Sequence, residues 1–343
     1  MIYILKPLAI CELGQRTNQE DSIFPHYGKA TEHDRTFLVC DGMGGHDSGE
    51  IASQTVCDTM GNYILKHTLT GSSFTDEQFD QALNAAYDEL DTKDNGAVKK
   101  MGTTMTFLNF HDNGCLLAHI GDSRIYHIRP SEKKILFKTR DHSLVNDLIE
   151  IGEITPEEAK ISKQKNVITR AMQPNLERRP KADLKHIKDI QPDDYFFMCS
   201  DGMLEETEDE NLLNILSETD NSDEEKLEIL IKVSENNKDN HSAYLIHVLD
   251  VISEKNVSTE EALTSHNKIV SEQKKCKSQK YILGIITILA FSALLLILIY
   301  VVFFSFKRKT SNEGLVQKPQ IENIEKNMIL RICYIKQYIQ KTF

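Results

Sequence analysis

Tryptophan is absent from the 343 residues, proline is scarce at 8, and the 7 cysteines never form a Cys-x-x-Cys pair. So few prolines, with 16 glycines and 40% hydrophobic residues, exclude a collagen-like or wholly disordered chain. The odd, scattered thiols (Cys11, Cys40, Cys57, Cys115, Cys199, Cys276 and Cys333) argue against a disulfide framework and a structural zinc site, and they fit a reducing compartment. The opening segment MIYILKPLAI lacks a basic region and a small-residue cleavage site, so no signal peptide is expected.

Positive charge is also scarce, and only locally. Residues 271–343 carry 12 Lys and Arg against 4 Asp and Glu, which leaves residues 1–270 with 28 against 48. A body with a net charge of -20 repels nucleic-acid phosphates, so DNA and RNA are not expected partners. Its acidity reads either as a solvated surface or as carboxylates gathered around cations.

The organisation of the chain follows from hydropathy. Residues 281–306 form a run of 26 without a charge. At about 1.5 Å per residue, a helix of that length exceeds the ~30 Å hydrocarbon core of a bilayer. Lys274, Lys275, Lys277 and Lys280 precede the run, and Lys307, Arg308 and Lys309 follow it. One transmembrane helix is therefore expected at 281–306, after a polar linker at 253–280. Flanking charge is nearly balanced, so orientation rests on the missing signal peptide and the reduced thiols. These place the N-terminal part in the cytoplasm, anchored to the cell membrane by a single pass. The basic tail at 307–343 carries Ile321, Ile324, Met328, Ile332, Ile335 and Ile339 at helical spacing.

The folded body is expected over 1–252 and reads as α+β. Short apolar and β-branched runs predict strands at 37–40, 105–110, 115–120, 124–128, 195–199 and 244–248. The intervening Gly121-Asp122-Ser123 predicts a hairpin between two of them. Thr75 with Gln78, Thr155 with Pro156 and Glu158, and Ser222 with Glu225 are helix-opening signatures.

The chemistry-bearing residues sit at the ends of these strands. Asp41-Gly42 follows the run at 37–40, Asp201-Gly202 follows that at 195–199, Asp122 lies in the predicted turn, and Asp239-Asn240 precedes the last strand. Carboxylates brought together repel one another unless a cation holds them, and hard oxygen donors suit Mg²⁺ or Mn²⁺. Spacing alone does not prove that they converge; a lone Asp-Gly is usually a turn. There is no Gly-x-x-x-x-Gly-Lys-Ser/Thr loop, no Gly-x-Ser-x-Gly elbow, and no cysteine with an arginine six positions later.

Seven segments in order resemble the metal-dependent protein phosphatases of the PP2C type, in their bacterial form. They are Gly14-Gln15-Arg16-Thr17-Asn18-Gln19-Glu20-Asp21-Ser22, Val39-Cys40-Asp41-Gly42-Met43-Gly44-Gly45-His46, Gly102-Thr103-Thr104, His119-Ile120-Gly121-Asp122-Ser123-Arg124, Arg140-Asp141-His142-Ser143, Cys199-Ser200-Asp201-Gly202-Met203 and Asp239-Asn240-His241-Ser242. The resemblance implies a four-layer α-β-β-α sandwich, two antiparallel sheets flanked by helices, with a variable flap near 144–165. It implies two Mn²⁺ or Mg²⁺ ions: Asp41 bridging both, Gly42 offering its carbonyl, Asp201 and Asp239 completing one shell, and Glu20 and Asp21 serving the other. Asp122 would help hold a weaker third ion. The implied reaction is hydrolysis of phosphoserine and phosphothreonine on cytoplasmic proteins by a water bridged between the metals, opposing Hanks-type Ser/Thr kinases. Arg16 would grip phosphoryl oxygens with its forked donors, and His46 would protonate the leaving oxygen. Thr103 and Thr104 are expected to hydrogen-bond near the metals, His142 and Ser143 to support the cleft, and His119 and His127 to be packing or surface positions. Asn236-Asn237-Lys238 stands where bacterial members often carry Gly-Gly, and asparagine's tolerance of positive φ is expected to preserve the turn. Two other readings are a weak or inactive phosphoprotein-binding scaffold on the same fold, and a partner-switching anti-sigma antagonist phosphatase with one cognate substrate.

Overall fold

The computed structural model describes residues 1–44, 48–68, 73–94 and 96–252. The described part lies within one compact unit, Met1–Asn256. Among the described residues no helix is long and apolar enough to cross a membrane. The span expected at 281–306, the linker, the tail and His46 lie outside the described residues.

Two antiparallel six-stranded sheets are stacked face to face. One runs in the order β1 (Ile2–Ile4), β12 (His241–Val251), β11 (Tyr195–Cys199), β8 (Arg124–Arg129), β9 (Lys134–Lys138), with β2 (Leu8–Glu12) also paired to β12. The other runs β10 (Asp183–Ile187), β7 (Gly114–Ile120), β6 (Met105–His111), β4 (Thr36–Met43), β3 (Asp21–Phe24), with β5 (Gly102–Thr103) on β4.

The strand period of two explains the layering. Along β4, Phe37 and Val39 point into the core between the sheets, where Ile125, Phe196, Met198, Tyr244 and Ile246 meet them. Leu38 and Cys40 point the other way, onto Val56, Met60 and Ile64 of α1 (Ser48–His67) and onto Phe79, Leu83 and Leu90 of α2 (Asp76–Thr92). Tyr126, Phe197 and Leu245 face outward from the first sheet onto Leu212 and Leu216 of α5 (Asp209–Ser217) and Leu230 of α6 (Asp223–Ser234). The central strands are therefore covered on both faces, which is why they read as continuous apolar runs rather than as alternation. Two shorter helices, α3 (Leu144–Glu150) and α4 (Pro156–Ile161), occupy the stretch expected to form the flap.

Helix starts match their local signatures. Thr75 with Gln78, Thr155 with Glu158 and Ser222 with Glu225 each form reciprocal capping boxes at α2, α4 and α6.

The predicted hairpin is overturned. β7 pairs with β6 and β10, whereas β8 pairs with β11 and β9, so the two strands belong to different sheets. Gly121-Asp122-Ser123 is the corner where the chain leaves one sheet for the other. Both strands need cover on both faces, and they obtain it by sharing the intersheet core: Leu117 enters from β7 and Ile125 from β8. Two smaller corrections concern strand ends. β4 continues through Asp41 to Met43 because β5 pairs with Gly42 and Met43, and the last strand starts at His241 rather than at 244. The turn before Asp239 forms with neither Asn236 nor Asn237 at positive φ. Asn237 is instead held by its side chain, whose Nδ2 donates to the Gly202 carbonyl at 2.7 Å.

Candidate metal centre

At one end of the sandwich, β3 and β4 bring two carboxylates side by side, since Asp21 and Asp41 are direct partners across the pair. The segment leading out of β11 supplies Asp201, which opens a short 3-10 turn, and the corner between the sheets supplies Asp122. Asp41 and Asp201 share a hydrogen bond between their side chains. Asp21 and Asp122 are buried, and the Asp122 Oδ1 atom has no hydrogen-bond partner.

The backbone around Asp41 is held from three sides. Its N–H donates to Thr104 Oγ1 at 2.9 Å, while its carbonyl accepts from the Thr104 N–H and from Thr103 Oγ1, each at 2.9 Å. Thr104 and Ser123 hydroxyls lie 2.7 Å apart, tying the strand to the corner that carries Asp122. Gly42 donates its N–H to the Glu20 carbonyl at 3.1 Å. A Cβ there would stand 2.2 Å from the Gly49 carbonyl and 2.4 Å from that of Glu20, so only glycine permits the approach of β4 to both. Ser200 Oγ donates to Asp21 Oδ2 at 2.8 Å.

The mouth of the site holds the more exposed residues. Asp239 Oδ2 accepts from Arg16 Nη2 at 2.7 Å, and Asp239 Oδ1 accepts from the Asn240 N–H at 2.8 Å. Glu205 receives the N–H groups of Lys238 and Asp239 at 2.9 and 3.2 Å. Glu20 is fixed through its own N–H, which donates to Asn240 Oδ1 at 2.8 Å. Its carboxylate lies within electrostatic reach of Arg16, Asp239 and Lys99.

Burial and mutual repulsion disfavour the charged forms of these carboxylates. Burial, and then the charge of Asp201, pushes Asp122 up to about 7. Burial also carries Asp21 up to about 7, against hydrogen bonds from Ser200 and Ser242 that favour its charged form. Asp41 is raised well above the usual carboxylate range by burial and then by Asp21, Asp201 and Asp122. Asp201 is raised by burial, with Asp239, Glu205 and Asp141 adding repulsion. So many acids with so little compensating positive charge make the metal-free fold unfavourable for their ionised forms. An orphaned buried oxygen and an all-oxygen donor set fit hard divalent ions such as Mg²⁺ and Mn²⁺.

Glu20, Asp21, Asp41, Asp122, Asp201 and Asp239 thus lie within electrostatic reach of their neighbours in this set, with Gly42 following Asp41 in β4 and Arg16 paired to Asp239. Thr103 and Thr104 hydrogen-bond to Asp41 there. Sequence reasoning missed Ser200, Glu205 and Lys99, whose Nζ donates to the Gly44 carbonyl at 2.6 Å. Ser200 and Glu205 flank the Asp201-Gly202 motif, and that proximity was the available signal. Lys99 had none. His119 and His127 are both buried; His127 Nε2 is bonded to Asp194 at 2.9 Å.

The family model described as protein phosphatase 2C matches residues 13–249. Protein phosphatase PhpP of Streptococcus pneumoniae is 36% identical over 197 residues, covering 57% of this chain and 77% of that protein. The crystal structure of the Mycobacterium tuberculosis serine/threonine phosphatase PstP/Ppp superposes with a TM-score of 0.61 at 29% identity, over 72% of this chain and 99% of that one. A crystal structure of the catalytic domain of PstP in complex with two manganese ions matches with a TM-score of 0.56 at 29% identity, over 72% of this chain and all of that one (100%).

Proposed function

This chain belongs to the protein phosphatase 2C family, and we propose that it is a membrane-anchored member acting on phosphoproteins in the cytoplasm. Its activity is metal-dependent hydrolysis of phosphoserine and phosphothreonine on proteins. The observation that carries the reading is that β3, β4, the corner between the sheets and the turn after β11 each supply one aspartate, and that burial and neighbouring carboxylates raise all four above the ordinary range.

In this reading Asp41, Gly42, Asp201 and Asp239 would hold one ion, Asp41 with Glu20 and Asp21 would hold the other, and Asp122 would help hold a weaker third. When bound, Mn²⁺ or Mg²⁺ neutralises phosphoryl charge and makes water acidic enough to attack at neutral pH. Arg16 presents two N–H groups of one guanidinium to two phosphoryl oxygens, a geometry that lysine cannot reproduce. Its pairing with Asp239 keeps the fork beside the carboxylates. His46, five residues after Asp41 in the sequence, donates a proton to the departing serine or threonine oxygen. The charge-free stretch at 281–306, with lysines before and after it, tethers the catalytic domain to the membrane and concentrates it near membrane-bound Hanks-type kinases.

The test is hydrolysis of a phosphothreonine peptide by the full chain in detergent. Activity appears with Mn²⁺, disappears with a chelator, and falls at least ~100-fold in Asp41→Asn and Asp201→Asn, in keeping with the large electrostatic share of such sites. A wild-type chain that binds two ions but hydrolyses nothing would mark it as a binding scaffold instead.

A further inference from the structure

The corner that carries Asp122 is gripped from the base of the flap. His142 donates its backbone N–H to the Gly121 carbonyl at 2.9 Å, and Gly121 returns its own N–H to His142 Nδ1 at 3.0 Å. Gly121 has φ +107°, and a Cβ there would lie 2.6 Å from Thr104 Cγ2, so the corner has one backbone course open to it.

This pair of bonds decides the state of the ring. A backbone N–H only donates, so His142 Nδ1 must accept and the ring proton sits on Nε2. The Nε2–H then donates to Asp183 Oδ2 at 3.1 Å. Arg170 Nη1 donates to the other Asp183 oxygen at 2.9 Å, which fixes that carboxylate in turn. The His119 ring stacks on His142 with centroids 4.5 Å apart and planes within 9°, and its Nε2 donates to the Arg140 carbonyl at 2.8 Å. Burial lowers the affinity of both rings for a second proton.

His119, His142 and Asp183 hold donor atoms within 4.8 Å of one another, the spacing of a metal site. The geometry argues against one. The two rings are parallel, so their lone pairs run in parallel planes rather than to a common point. One His142 nitrogen is committed to Gly121, and the Arg170 guanidinium lies 3.3 Å from the other.

We propose that His142 is a positioning residue for the phosphatase reaction: as the Nε2–H tautomer it pins the Gly121-Asp122 corner and thereby sets where the Asp122 carboxylate meets Asp41 and Asp201. The proposal rests on the reading of the carboxylate cluster as the metal centre. Asp122 has an unpartnered buried oxygen, and the hydrogen bond its carboxylate does receive comes from its own backbone, so its position is inherited from the chain at Gly121. Partners of this kind, one step removed from a metal, typically change affinity or rate about 10–100-fold when removed.

Two substitutions at His142 separate the ring's two hydrogen bonds. Asparagine places an acceptor where Nδ1 stands but cannot reach Asp183; glutamine places a donor where Nε2 stands but offers nothing to Gly121. On the full chain in detergent, His142→Asn is expected to keep Mn²⁺ binding by calorimetry within about threefold of wild type and to preserve kcat. His142→Gln is expected to weaken the weakest Mn²⁺ event about tenfold and to lower kcat for a phosphothreonine peptide about tenfold, with KM unchanged. Imidazole nitrogen NMR of the wild type is expected to show an unprotonated Nδ1. Asn and Gln variants that behave alike, or a protonated Nδ1, would overturn the assignment even if the Gln variant fails to fold. If the wild type binds Mn²⁺ and hydrolyses the peptide while His142→Gln matches it, the positioning role alone falls. If the wild type binds no Mn²⁺ at all, the metal centre falls and the assignment falls with it.

Discussion

Replacing Asp201 with asparagine removes one negative charge from the carboxylate cluster and tests the site without measuring catalysis. In the metal-free fold Asp201 raises Asp122 and Asp41 and is itself raised by its neighbours. A carboxylate moved from 3.8 to about 7, as Asp122 and Asp21 are, costs the ionised fold about 4 kcal/mol above neutral pH. Burial is the largest cause and survives the substitution, so the recoverable, Coulombic share is about 1–2 kcal/mol. The introduced amide oxygen can still accept the hydrogen bond from Asp41, which limits collateral damage. Without metal at pH 8 the variant should therefore melt about 2–8 °C above wild type. Adding Mn²⁺ at about 100 times its dissociation constant should stabilise the wild type by about 2.7 kcal/mol per site and the variant far less, so the order of melting temperatures inverts. The pH dependence has a definite sign. These acids bind protons more tightly folded than unfolded, so their contribution to metal-free stability is full below 3.8 and is lost as pH rises through about 7. That fall should be shallower in the variant. A metal-free variant that melts below wild type at pH 8, or a wild type indifferent to Mn²⁺, would refute the reasoning.

Two further outcomes concern the rest of the chain. Asp194 is fully buried, with its carboxylate on Arg129 Nε and Nη2 and on His127 Nε2, each at 2.9 Å; because Arg129 also keeps Asp189 at 3.1 Å, Asp194→Asn should cost about 1–3 kcal/mol in urea denaturation. Because Asp194 sits at the opposite end of β11 from Asp201, kcat per folded molecule should hold; a stability change within about 0.5 kcal/mol of zero would refute this. Deleting 281–306 should move the chain from the membrane fraction to the soluble one without loss of peptide hydrolysis, and persistence in the membrane fraction would remove the proposed anchor.

Features legible in the sequence were those whose cause is local. A capping box needs two residues three apart, and all three sequence signatures formed one. The strand at 195–199 was readable to the residue because all five positions are buried. α1 was not anticipated, because small residues such as Gly49, Ala52, Ser53 and Gly61 line its buried face beside Val56 and Met60, leaving only a weak apolar stripe. The acids were found through motif order; their convergence was not derivable, since Ser200, the residue before Asp201, reaches Asp21 across 179 residues.

The failed hairpin is the most informative case. A tight Gly-Asp-Ser turn between two apolar strands satisfies every local criterion for a hairpin, yet local criteria cannot say which sheet each strand joins. A hairpin would have placed β7 and β8 side by side in one sheet, with Asp122 at its rim. Sending the strands into opposite sheets instead places Asp122 at the junction of both, where β4 delivers Asp41 and β11 delivers Asp201. The cost is a glycine at positive φ whose corner needs external support, supplied by the Thr104–Ser123 hydroxyl contact on one side and the His142 clamp on the other. The same crossover that defeats the local reading is therefore what brings carboxylates from two sheets within electrostatic reach of one another. A change that relaxed the corner should be felt first at Asp122 and only afterwards in the stability of the sheets.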